Sequence, residues 1–170
     1  METNQQAQQS EAAPGRRFNK TYSIYKPRRD GGGCASGWEL NAEKEAVFLE
    51  VAAQVGTMQG EDNARFDWPN KLIMKLGVTD IGEILALLER RQKGIGPQKD
   101  GRHRGLFHKT AAGSTTLSFE ESQQQPGWHL RIGVQKTGSD VQSHSHSITP
   151  GEGATLLVLM RLAIERIYAW

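Results

Sequence analysis

Along residues 71–76 the side chains nearly alternate: Leu72, Met74 and Leu76 point one way, Lys71, Ile73 and Lys75 the other. This pattern predicts a strand with one apolar and one basic face, preceded by Phe66, Asp67, Trp68, Pro69 and Asn70. From Thr79 the period becomes helical, with Ile81, Ile84, Leu85 and Leu88 on one stripe. Asp80 and Glu83 suit the first turn of this helix, and Arg90, Arg91 and Lys93 its last turn before Gly94. The chain closes on the same plan. A polar strand over 141–148 runs into Thr149, Pro150 and Glu152, which read as an N-cap, a first helical position and the far half of a capping box. The helix that follows is apolar over more than one face, with Leu156, Leu157, Val158, Leu159, Met160, Leu162, Ala163, Ile164 and Ile167. Such width implies burial on one side against the protein's own sheets and on the other against the first helix or a second copy.

The other segments fill in the plan. Thr21, Tyr22, Ser23, Ile24 and Tyr25 carry aromatic and β-branched residues at period two and predict a first strand. Strands follow over 35–41 and 45–55, the latter chosen over a helix because Val47, Leu49, Val51 and Ala53 alternate. Residues 90–104 carry six cations against Asp100 alone and read as a mobile basic loop. Strands over 106–109, 114–119, 128–135 and 141–148 come at hairpin spacing. The predicted class is α+β: two four-stranded antiparallel sheets, each followed by a helix, a duplicated ββββα unit of about 75 to 85 residues per half. Residues 1–19 are rich in Gln, Ala and Glu and read as a disordered polar tail, leaving 20–170 as the domain.

Composition narrows the function by exclusion. The 170 residues carry a net charge of only +2, so bulk charge does not announce a nucleic-acid binder and its distribution has to. That distribution is uneven: Arg16, Arg17, Lys20, Lys26, Arg28 and Arg29 fall within fourteen residues with no acid among them. A lone cysteine, Cys34, cannot form an internal disulfide and fits a reducing compartment. No apolar run reaches the roughly 18–20 residues of a membrane span, and the N-terminus lacks the features of a signal or transit peptide, so a cytoplasmic location is expected.

Clustered cations with aromatic rings among them are what a nucleic-acid-binding surface needs, cations for phosphates and flat rings for bases. Tyr22, Tyr25, Trp38, Phe66, Trp68, Phe107 and Trp128 are candidate rings. Lys20, Lys26, Arg28, Arg29, Lys71, Lys75, Lys109, Arg131 and Lys136 are candidate cations. Trp128 shares a face with Leu130, Ile132 and Val134 and so reads as core, whereas Phe66 and Trp68 fit either role. Tyr25 shares its face with Thr21 and Ser23 and is the more exposed of the two strand tyrosines. His144 and His146 lie on one strand face and could hydrogen-bond phosphates or bases, or bind a metal with His108 or His129. No cysteine or carboxylate cluster accompanies them, so no metal or other cofactor is expected. Gly31, Gly32 and Gly33 lack the Gly-Lys-Ser/Thr continuation of a phosphate-binding loop, and no nucleophile is paired with a base; the expectation is a non-enzyme.

In this order the chain resembles the Whirly family of single-stranded DNA-binding proteins and their relatives, the kinetoplastid mitochondrial guide-RNA-binding proteins. The resemblance spans about residues 20–170. It rests on Tyr22–Lys26, on Phe66-Asp67-Trp68 leading to Val78-Thr79-Asp80-Ile81-Gly82, on Leu106-Phe107-His108, and on the helix begun by Thr149-Pro150 and ended by Trp170. The family's Lys-Gly-Lys-Ala-Ala-Leu-Ser motif is replaced here by the segment from Lys26 to Ser36. The resemblance implies sheets packed like blades, helices holding a homotetramer together, and single strands lying across the sheets; with no organelle address seen, a bacterial or phage-type member is expected rather than a plant one. The partners it implies are single-stranded DNA, with RNA as the alternative, and further copies of the chain. A transcription regulator and an adaptor that binds no nucleic acid are the other readings.

Overall fold

The computed structural model describes residues 20–57 and 63–169; the polar tail, Arg16, Arg17 and Trp170 lie outside the described residues. The first sheet is antiparallel and is built from β1 (Thr21–Lys26), β2 (Cys34–Asn41), β3 (Ala46–Val55) and β5 (Leu72–Leu76). The two-residue β4 (Arg65–Phe66) pairs with the end of β3. A 3-10 turn at Trp68–Asn70 separates β4 from β5. It forms where Pro69, which has no backbone N–H, cannot serve a strand ladder. The helix α1 (Val78–Leu88) follows β5 directly.

The second half begins with two short strands, β6 (Gln98–Lys99) and β7 (Arg102–His103). Its sheet has the meander order β8 (Leu106–Thr110), β9 (Gly113–Glu121), β10 (Trp128–Lys136) and β11 (Gln142–Ile148). The helix α2 (Pro150–Tyr168) completes the duplicated α+β plan.

Strand register decides which side chains meet. In the first sheet Ile24, Ser36, Val51 and Leu72 form one cross-strand row, and Tyr22, Trp38, Leu49 and Met74 the next. In the second, Leu106, Leu117 and Ile132 share a row, beside Phe119, Leu130 and His146. These inner faces and one side of each helix join in a single apolar core. Each large side chain buried there contributes roughly 1.5–3 kcal/mol.

The capping box at α2 is formed: Thr149 Oγ1 accepts from Glu152 N, and the Glu152 carboxylate accepts from Thr149 N at 2.7 Å. The helix approaches the second sheet so closely at Gly153 that a Cβ there would lie 2.2 Å from Trp128 Cζ3.

Two expectations are corrected. The first helix ends at Leu88 rather than reaching Lys93. Arg90 takes a left-handed φ of 59°, with Arg90 N donating to Leu87 O and Arg91 N to Ala86 O, the hydrogen bonds of a Schellman stop. Glycine usually holds that position, so an arginine there hides the stop. The basic segment 90–104 is also not a structureless loop. It contains the β6–β7 hairpin, and Ile95 at its base is fully buried. On α1 the fully buried positions are Ile81, Ile84 and Leu87; Leu85, on the expected stripe, is half-buried and packs against the same core.

Candidate nucleic-acid interface

Because each sheet packs only one face inward, alternation sends every second side chain outward. On the outer face of the first sheet, Tyr25 stands opposite Ala35, itself opposite Ala52. Phe66 stands opposite Gln54 on the same face. The Tyr25 and Phe66 ring centroids are 5.5 Å apart, tilted by 52°. The six-membered ring of Trp68 reaches over Gly37, where a Cβ would sit 3.7 Å from Cζ3 and Cη2. Ala35, Gly37 and Ala52 are all buried, a floor of small residues beneath this aromatic cluster. Tyr25 remains 55% exposed, and Phe66 and Trp68 are half-buried. Further along this face lie the exposed Ile73 and Lys75, and Lys71 paired with Glu50 at 2.7 Å.

The outer face of the second sheet is hydroxyl-rich. Phe107, 62% exposed, shares a row with Thr116, Gly133 and Ser143. Arg131 shares one with Ser118 and Ser145, and donates from Nη2 to Ser143 Oγ at 3.3 Å. Lys109 and His129 are exposed on the same face. Between the sheets an open cleft of about 820 Å³ is lined by Asn70, Lys71 and Ile73 from one side and Lys136, Gln142 and His144 from the other. Burial lowers the pKa of His144, favouring the neutral ring, which can both donate and accept hydrogen bonds.

The remaining expected site residues are placed differently. Lys26 points inward and is held by both carboxylate oxygens of Glu152, at 2.7 and 2.8 Å. Tyr22 is half-buried against the core and, with Lys20, lines a groove beside α2. His108 points inward, its Nε2 3.2 Å from Asp80 Oδ2. His146 is 5% exposed on the inner face, where burial lowers its pKa. Arg28 pairs with Asp30 at 2.6 Å, and Arg29 is exposed. Trp38 and Trp128 are both core, as alternation predicts for Trp128. Among the described residues no group of three metal-ligating side chains is assembled.

Sequence reasoning missed Phe48, which shares the outer face with Glu39 and Lys75 and has the Lys44 ammonium 5.3 Å from its ring centroid. The signal was available, since Phe48 interrupts the inward series Val47, Leu49 and Val51.

Solved structures match this architecture over nearly the whole chain. WHY1 from Arabidopsis thaliana superposes with a TM-score of 0.66 at 21% identity, covering 93% of this chain and 89% of that one. The fold is the Whirly fold. The Trypanosoma MRP1/MRP2 proteins share it at a TM-score of 0.61 and 17% identity, over 89% of this chain and 95% of theirs. A guide-RNA-binding protein complex solved with a bound gRNA matches at 0.63 and 13% identity, over 91% of this chain and 95% of that one. No protein-family model matches the sequence, and no curated protein is similar to it in sequence. The plant transcriptional regulator PBF-2 is a further match.

Proposed function

We propose that this Whirly-fold protein binds single-stranded DNA with little sequence preference and has no catalytic role. It would act on strands exposed in replication, repair, recombination or transfer, in a reducing cytoplasm. The observation that carries the reading is the outward cluster of Tyr25, Phe66 and Trp68 over a floor of Ala35, Gly37 and Ala52. Tyr25 stays exposed, and Phe66 and Trp68 only half-buried, on the face of the sheet turned away from its core. Each stacked base contributes roughly 1–3 kcal/mol whatever its identity. Lys75, Lys109, Arg131 and Lys136 lie on or between the same two faces and supply charge for the phosphates. The similar fold of a guide-RNA-binding protein complex bound to a gRNA supports RNA as the second reading. Nothing on these faces is committed to reading a 2′-hydroxyl.

The same reading includes self-association through α2. Val158 and Leu162 remain 54% and 52% exposed on a helix whose other side is core. An apolar stripe of that kind is stabilised by a second copy. Two measurements test the proposal. Affinity for oligo-dT should fall steeply as salt rises from about 50 to 200 mM, with duplex DNA a weaker competitor and competition by matched RNA ranking the two readings. Light scattering should return a mass above the monomer, which Val158→Asp with Leu162→Asp should reduce to 18.8 kDa. A monomeric wild type indifferent to oligo-dT in dilute buffer would overturn the reading.

A further inference from the structure

We infer that the β6–β7 hairpin is a second phosphate-binding element, gripping the backbone of the strand where it leaves the outer face of the second sheet. The inference rests on the single-strand reading above and adds a contact surface to it.

The hairpin is built to hold its shape. Its two-residue loop, Asp100 and Gly101, has φ values of 52° and 74°. Both are left-handed, the pattern whose twist matches that of the flanking strands. Its base is tied to the second sheet, with Ile95 N donating to Phe119 O at 3.0 Å and Glu121 N to Lys93 O at 2.8 Å, and is closed on itself by Gly105 N donating to Ile95 O at 3.1 Å. Gly96 and Gly105 meet so closely that a Cβ on Gly96 would lie 2.1 Å from Gly105 O.

On this rigid frame the charges are arranged at the protein's own expense. Lys99 and Arg102 stand directly opposite one another across the hairpin. Like charges in that register are destabilising. Neither has an acidic partner among the described residues; the carboxylate of Asp100 lies instead 3.7 Å from Arg104. Of the six cations over 90–104, Arg90 pairs with Glu121, Arg91 with Glu89 and Arg104 with Asp100, which leaves the facing Lys99 and Arg102 to an external anion. The location favours a polynucleotide: β7 leads through Gly105 into β8, placing Arg102 at most about 18 Å of extended chain from the exposed ring of Phe107. A strand stacked on Phe107 therefore has the hairpin within reach of its neighbouring phosphates.

The test is oligo-dT binding by the full chain over a salt series, comparing wild type, Lys99→Gln with Arg102→Gln, and Phe107→Ala. Loss of two phosphate contacts should reduce the log–log salt slope by about 1.4 and weaken binding about 25-fold near 0.1 M salt, the curves converging towards 1 M. Phe107→Ala should lower affinity with the slope unchanged. Because the double substitution removes a repulsive pair, its thermal midpoint should equal or exceed that of wild type, which separates lost binding from lost folding. Wild-type binding with an identical slope and affinity in the double variant would overturn the hairpin inference alone. A wild type that ignores oligo-dT would overturn the functional reading beneath it.

Discussion

Lys26 separates a structural cation from a binding one. As a residue in a cation-rich stretch it reads as a phosphate contact, yet its ammonium sits between both oxygens of Glu152, and each side chain is 24% exposed. The pair links β1 to the first turn of α2, joining positions 126 residues apart. Consider Lys26→Met, which keeps the stem and removes the charge. Exposed pairs contribute less than about 1 kcal/mol, while breaking a fully buried pair costs about 3–5 kcal/mol. At a quarter exposure the expected loss is about 2 kcal/mol, or roughly 4–8 °C in thermal midpoint for a chain of this length.

The effect has a pH signature. Burial raises the pKa of Glu152, but hydrogen bonds from Lys26 and Thr149 outweigh it and hold the group below its ordinary 4.5. A depressed carboxyl contributes stability that is present above the unfolded value and lost as pH falls through the folded one. The gap between wild type and Lys26→Met should therefore be full at neutral pH and close below about pH 4.5. Urea unfolding across that range measures it. At neutral pH the folded variant should bind oligo-dT like wild type, whereas Lys75→Ala should bind more weakly. A variant as stable as wild type that loses affinity would refute the assignment of Lys26 to the ion pair.

Tyr25→Ala should cost about 1–3 kcal/mol of oligo-dT affinity with little change in unfolding midpoint, measured by anisotropy and calorimetry; undiminished affinity would remove the ring from the site. Gly153→Ala sets a helix-propensity gain of about 1 kcal/mol against an overpacking cost of about 1–3 kcal/mol. Since the new Cβ would meet the buried indole of Trp128 at 2.2 Å, the net effect in urea should be destabilising. Burial pushes the Cys34 thiol up to about 11, so alkylation near pH 8 should be far slower in the native protein than in urea. Equal rates would show that the thiol is accessible.

Much of the fold was legible because local periodicity carries it. The alternation of Leu72, Met74 and Leu76 against Ile73 and Lys75 appears as predicted, as does the box formed by Thr149 and Glu152. Boundaries set by backbone conformation were less legible. The end of α1 depends on Arg90 adopting a left-handed φ, which its residue type gives no reason to expect. The order within segment 90–104 depends on Ile95 finding a place beside Phe119, a contact that no local pattern announces.

The candidate site divides along the same line. Sequence by itself determined which residues of a strand share a face, because side chains alternate at period two whatever the surroundings. This placed Tyr25 with Ser23 and Trp128 with Leu130. Only the tertiary structure decided which face is covered, and so which rings and cations are free: it set Tyr25 beside Phe66, turned His146 into the core, and spent Lys26 on Glu152. The physical reason is that exposure and pairing are properties of elements far apart in the chain. An alternating strand offers two faces, and only the partner that packs against one of them leaves the other for a ligand.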